Sequence, residues 1–403
     1  MSTQQFPTTQ ALWARDSDVH HQHPENNASN ISSAFPSHRG SALRTGDTRM
    51  DVSLQQTHGQ EPNSRPVSSG WERASGAGST YGRYVGKAGG RSSDGAPQFD
   101  QPVKPGGYLW WYVDALSDCG QFGLTIIAFV GSVFSPYYAW ARAHKEHTHP
   151  DDFCCLNVAL YSKNANRWAM TERGARFNSR GEDFFSIGPS HLHWDGQALH
   201  IDINEITVPI PRKIKGHVTV YPQQLFNFGA PLDLEGLHMW GPLAPSARVK
   251  VDLQAPQQSW QGHAYLDSNE GSEPIDLPFA EWDWSRSRLQ NGDTAVLYDI
   301  QRKDSSEQVL AYRFHQQGHV SEFEAPAKRN LPKTLWAIPR RMRSDGDVHI
   351  RQQLEDTPFY QRAILESQLL GETVESFHET LNVARLTSKV VQAMLPWRMP
   401  RRS

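Results

Sequence analysis

From Tyr108 to about residue 382 the chain is a succession of short apolar runs, cut by turn dipeptides, in which aromatic and β-branched residues alternate with polar ones. Side chains two apart on a strand share a face, so a period of two predicts β-strands. A first series is predicted at 108–116, 123–133, 154–161, 168–172, 191–195, 198–205 and 214–221. A second is predicted at 248–254, 258–267, 279–287, 294–302, 308–313, 319–324, 335–338, 348–355, 360–368 and 373–382. Asp195-Gly196 and Asn291-Gly292-Asp293 stand between alternating runs, which is the turn chemistry of hairpins. Only two short helices are predicted, one over Pro136–His144 and one from Ser388 that ends before Pro396. Short strands at this spacing predict an all-β chain of two barrel-like domains, at 101–250 and 251–403. Residues 1–100 are rich in Ser, Gly, Asn, Gln, Thr and His and poor in aliphatics. Such a segment buries too little apolar area to offset chain entropy, and a disordered leader is expected there.

Composition narrows the function. A net charge of −3 creates no field that would draw nucleic acid, so no nucleic-acid partner is expected. Thirteen Trp, 17 Phe and 12 Tyr predict an aromatic-lined cavity or heavily aromatic barrel interiors. Cys119, Cys154 and Cys155 are odd in number and two are adjacent, a poor disulfide framework that favours a reducing cytoplasm. The longest apolar run, 124–134, is far short of the roughly 20 residues a membrane span requires. No Gly-rich phosphate loop or dinucleotide fingerprint occurs, so no nucleotide, nicotinamide or flavin cofactor is expected. The nucleophile elbow Gly-x-Ser-x-Gly is missing too, which weakens a hydrolase reading.

Two kinds of constellation carry possible chemistry. His144, His147 and His149 cluster on one loop, and His191-x-His193 shares a strand face, half of a metal site that needs a distant third ligand. Their polar, charged surroundings read as solvated, and no metal is expected. His238-x-Trp240 and Tyr265-x-Asp267 each put a titratable group beside an aromatic on one strand face. The plain alternative is two core aromatics with a His238–Asp267 hydrogen-bonded pair. Against it, a carboxyl at an inward position of an aromatic strand carries a desolvation cost unless it is paired or protonated. A protonated carboxyl in such a place is what a weakly basic substrate requires. Tyr112-x-Asp114 repeats the spacing, which makes Asp114 a secondary candidate.

The stretches GYLWWYVDALSDCGQFGLTIIAFVGSVFSPYYAWAR, HLHWDG, GLHMWGP, GHAYLDSNEGSEP, WDWSRSRL and LPWRMPRR, in this order from about residue 106 to the C-terminus, resemble the bacterial carotenoid 1,2-hydratases. The resemblance implies two lipocalin-like β-barrel domains and a lyase that adds water to the terminal C1=C2 bond of acyclic carotenoids, without a cofactor. Lycopene, neurosporene and their 1-hydroxy derivatives would be the substrates. His238, Trp240, Tyr265 and Asp267 match the family's catalytic positions. Asp267 would then protonate C2, Trp240 and Tyr265 would face a cation at C1, and His238 would orient Asp267 or take the proton of the attacking water. Trp397 with the basic end Arg398–Arg402 reads either as a solvated tail or as peripheral contact with membrane lipid, on the cytoplasmic face of the inner or intracytoplasmic membrane. Two other classes compete, a non-enzymatic lipocalin-type carotenoid carrier and a metal-dependent lyase or hydrolase using His191 and His193.

Overall fold

The computed structural model describes residues 88–145, 148–162 and 166–402. Its first part runs through β1 (Tyr108–Ser117), β2 (Phe122–Val130), α1 (Pro136–His144), β3 (Cys154–Ser162) and β4 (Arg167–Arg173). It continues with β5 (Asn178–Arg180), β6 (Phe184–Ile187), β7 (Ser190–Trp194), β8 (Leu199–Ile206) and β9 (Lys213–Pro222). A two-residue β10 (Ala230–Pro231) precedes the long hairpin of β11 (His238–Ala255) and β12 (Gln257–Gly271). These strands form one sheet, in the order β4-β3-β2-β1-β12-β11-β9-β8-β7-β6-β5, with β10 beside β11. The sheet curls until β3 and β4 approach β6 and β8 across an apolar interior.

The second part supplies β13 (Phe279–Arg288), β14 (Thr294–Arg302), β15 (Glu307–Phe314) and β16 (Val320–Glu322). After a small hairpin of β17 (Lys328–Asn330) and β18 (Arg341–Arg343) come β19 (His349–Asp356), β20 (Tyr360–Leu369) and β21 (Glu372–Asn382). The seven-stranded sheet is ordered β16-β15-β14-β13-β21-β20-β19. Two short helices, α2 (Val383–Leu386) and α3 (Lys389–Met394), lead to β22 (Arg401–Arg402), which pairs parallel with β4 and closes the first sheet's edge. The chain is therefore all-β and lipocalin-like, a curled half-barrel sheet joined to a second sheet.

The alternation in β1 explains how the two sheets meet. Leu109, Trp111, Val113 and Ala115 point into the half-barrel. Tyr108, Trp110 and Tyr112 point out of it, yet are buried against Phe279, Trp282, Trp284 and Tyr298 of the second sheet. Both faces of β1 are thus covered, and an aromatic layer fills the space between the sheets. The other face of the second sheet holds a smaller core around Leu297, Leu365 and Met342.

Several local expectations are met. The hairpin turns fall between β7 and β8 and between β13 and β14, and Ser135 caps α1 by accepting from the Tyr138 N–H, with Pro136 in the first turn. Others are revised. Residues 335–338 form a turn instead of a strand, with Ala337 at φ 50° and its N–H bonded to Thr334 O, because Pro332 and Pro339 bracket the segment. The predicted break before residue 248 is absent, since β11 runs on through Pro242 and Pro245 with register shifts at 242/244 and 244/247. Proline lacks the N–H that a ladder needs, and a bulge accommodates it. The change of sheet accordingly comes at 272–278, while position 250 lies inside β11. Residues 88–100, counted in the leader, are packed. Arg91 and Phe99 are fully buried, and the Phe99 ring lies 4.7 Å from that of Trp111.

Candidate active site

The site is set by the register of β1, β12 and β11. Asp267 faces Tyr112 across β1 and Pro242 across β11, Asn269 faces Trp110 and Trp240, and Tyr265 faces Asp114. Residues 265, 267 and 269 share the outward face of the half-barrel, so Tyr265, Asp267 and the neighbouring Trp240 converge. Asp267 Oδ2 accepts two hydrogen bonds, from Trp240 Nε1 and from the Tyr265 hydroxyl, both at 2.9 Å. Oδ1 is buried and accepts no hydrogen bond among the described residues.

The bulge at Pro242 lies opposite this carboxyl and is clamped from behind. Arg91 donates to the carbonyls of Phe226, Phe228, Gly241 and Pro242 and to Ser268 Oγ. Gly241 is required there, because a Cβ would lie 2.1 Å from Phe228 O.

Asp267 borders a cavity between the two sheets. From the first sheet the walls are Trp110, Tyr112, Ile127, Phe129 and Asn269, with Val133 and Phe134 beyond β2. From the second they are Trp282, Trp284, Tyr298, Tyr360, Glu379 and Leu381. Trp284 lies 5.3 Å from the Tyr265 ring and 5.6 Å from Tyr112, and Tyr298 lies 5.5 Å from Trp240. Burial pushes the Asp267 carboxyl up to about 8, although the Trp240 and Tyr265 donors pull it the other way. At neutral pH it is a carboxylic acid. Both donors lie on Oδ2, which leaves Oδ1 without a partner among the described residues.

The structure brings together Trp240, Tyr265 and Asp267, but not His238. The hydrogen-bonded pair expected between His238 and Asp267 does not form. His238 faces Gly271, four residues along β12 from Asp267, which is about 13 Å at ~3.3 Å per residue. Its Nδ1 pairs with the Tyr108 hydroxyl at 2.8 Å and its Nε2 approaches Glu273 Oε1 at 3.4 Å. Burial lowers its pKa, which favours the neutral ring. Two aromatic paths link His238 to the cavity walls: Tyr108 stacks on Trp110 at 4.9 Å, and Phe279 lies 4.9 Å from the imidazole and 5.7 Å from Trp282. Asp114 is fully buried and is matched by Arg286, whose Nε donates to Oδ1 at 2.9 Å.

Sequence reasoning passed over Glu379. It lines the cavity from β21, where Tyr112 and Arg362 Nε donate to its Oε1 at 2.6 and 2.7 Å. The signal was Phe377-x-Glu379-x-Leu381, a carboxyl in line with two apolar side chains. The histidine candidates lie elsewhere. His191 and His193 belong to a row of stacked imidazoles with His200 and His217 on the half-barrel's outer strands. His144 bonds to Trp140 O and His149 approaches Asp151, while His147 lies outside the described residues. No group of three metal-ligating side chains gathers among the described residues.

The family model described as Carotenoid hydratase CrtC matches residues 126–403. The chain belongs to the carotenoid hydratase family. Acyclic carotenoid 1,2-hydratase from Rubrivivax gelatinosus is 52% identical over 383 residues, covering 94% of each chain. The enzyme of the same name from Thiocapsa roseopersicina is 45% identical over 397 residues, 98% of each. A crystal structure of a putative AttH from Nitrosomonas europaea shares the fold, with a TM-score of 0.50 and 16% identity, over 68% of this chain and 92% of that one. This carotenoid hydratase is thus a hydro-lyase, which decides against the non-enzymatic carrier reading.

Proposed function

We propose that the enzyme hydrates the terminal C1=C2 bond of acyclic carotenoids by general-acid catalysis, with Asp267 as the acid. Lycopene, neurosporene and their 1-hydroxy derivatives are the substrates in this reading. The observation that carries it is a buried carboxyl that borders an aromatic cavity and has no cation in hydrogen-bond or salt-bridge contact among the described residues. A trisubstituted alkene is a poor base, so hydration starts with a strong acid in a dry site. The Asp267 O–H bond breaks, C2 gains the proton, and the positive charge rests on C1 as a tertiary cation. Trp284, which lines the cavity, faces that charge with its π-system, worth about 0.5–2 kcal/mol. Water then adds to C1. The overall change is redox-neutral and balances without a nicotinamide or flavin. His238 serves in this scheme by holding Tyr108 against Trp110, a positioning role.

The test is hydration of lycopene in D₂O. One deuterium at C2 of 1-hydroxylycopene is expected; a label elsewhere in the product would sink the mechanism.

Delivery of so apolar a substrate points to membrane contact. Val390, Met394 and Trp397 are exposed along α3 and the turn after it, and Trp397 is 79% exposed. Leu335, 88% exposed, lies in the turn that Arg385 of α2 ties down by donating to Trp336 O. Lys389 and Arg398 stand beside this apolar surface, the pairing that favours an anionic lipid interface. We infer peripheral attachment at the cytoplasmic face of the inner membrane. Co-flotation with anionic vesicles, lost on Trp397→Ser with Leu335→Ser, is the expected result; undiminished flotation of the double variant would assign attachment to another surface.

A further inference from the structure

Once Asp267 has given its proton, the water that attacks C1 must lose one. We propose that Glu379 is the base that takes it, from the opposite wall of the cavity; this rests on the reading of Asp267 as the acid. Asp267 projects from β12 of the first sheet and Glu379 from β21 of the second, and both border the same space. An alkene lying between the sheets meets an acid on one side and a carboxylate on the other.

The surroundings of the two carboxyls differ as their tasks require. Asp267 has only neutral donors. Glu379 Oε1 accepts from a guanidinium and a phenol, the bonding pattern of an ionised carboxylate. Arg362 is shared, because its Nη1 also serves Glu355 Oε2 at 2.8 Å. One guanidinium therefore answers two carboxylates, and Glu379 keeps negative character toward a cation forming in the cavity.

A further group points to where the water sits. Trp284 Nε1 is buried without a hydrogen-bond partner among the described residues, an arrangement that costs free energy unless something fills it. Trp284 is directly across the ladder from Glu379 and lines the cavity beside it. A water that accepts from the indole N–H and donates to Glu379 satisfies both. The step balances. A water lone pair forms the C1–O bond, its O–H breaks, and the proton moves to Glu379. Its return to Asp267 after product leaves restores the starting state.

The test is Glu379→Gln with lycopene in D₂O, with fold and lycopene binding checked by thermal unfolding and tryptophan quenching. Protonation by Asp267 and reversal of the cation remain possible, so recovered lycopene should gain deuterium at C2 as fast as in the wild type. Hydration should fall by about 100-fold or more. Hydration within threefold of wild type would overturn the assignment and leave Asp267 untouched. Loss of exchange as well as hydration, with binding retained, would also overturn it by moving Glu379 to the protonation step. Asp267→Asn should silence both readouts; if it does not, the parent reading fails instead. Should Glu379→Gln not fold, Tyr112→Phe decides: retained exchange with hydration about three- to tenfold lower supports the base, and unchanged hydration rejects it.

Discussion

Two Tyr-x-Asp pairs lie side by side in the first sheet, and their carboxyls have opposite partners. Tyr112 faces Asp267 and Asp114 faces Tyr265, so each motif's tyrosine stands against the other's aspartate. Both carboxyls are buried, and burial pushes both upward. Asp114 receives the Arg286 guanidinium, which pulls it back toward the ionised form. Asp267 receives an indole N–H and a phenol O–H, too little to offset desolvation. Equal spacing and near-equal burial thus give an ion pair in one case and a neutral acid in the other. The cation decides which.

Four experiments press on this contrast. Asp267→Asn keeps the shape and an oxygen for both donors but removes the acid, so hydration should fall about 10³–10⁴-fold while the protein stays folded. The same variant should alter the pH dependence of stability. An unfolded aspartate ionises near ~3.9, whereas Asp267 in the fold keeps its proton to about 8. Between these values only the native chain binds it, so wild-type stability falls as pH rises through that window, and Asp267→Asn should abolish this component. In the other motif, Arg286→Met leaves the buried Asp114 carboxyl without its cation, with an expected loss of about 3–5 kcal/mol in chemical denaturation. Adding Asp114→Asn should recover most of it; no recovery would mean that Arg286 acts through packing.

His238→Ala removes a buried hydrogen bond to Tyr108, and hydration should drop about 10- to 100-fold as the Tyr108–Trp110 stack loosens. Because His238 does not touch Asp267, the alkaline limb of the rate profile should stay near 8. A moved limb would restore the direct partnership. Trp240→Phe deletes one donor to the carboxylate form. The acid weakens, the alkaline limb moves up by about one pH unit, and the rate falls roughly tenfold.

Much of this was legible before the structure. Alternation located most strands, and Tyr265-x-Asp267 flagged itself because an inward carboxyl on an aromatic strand demands a reason. The separation of His238 from Asp267 was not legible, since shared faces follow from a period of two whereas separation depends on register between strands. His238 proves to face Gly271. Glu379 was hidden for a different reason. In β21 the segment Phe377-His378-Glu379-Thr380-Leu381 is buried on both faces, so polar and apolar positions no longer sort by side. Arg91 sits in a stretch so polar that hydropathy assigns it to the leader, and its burial depends on carbonyls contributed by residues more than 130 positions away.

That arginine sets a boundary for protein engineering. A chain trimmed to start at Gly106 would keep Asp267, Trp240, Tyr265, His238 and Glu379. It would nonetheless leave the carbonyls of Phe226, Phe228, Gly241 and Pro242 without the donor that gathers them beneath the acid. Trimming for expression or crystallisation should therefore stop short of Ala88, where burial begins among the described residues. Past that point the loss would show first as a misplaced acid.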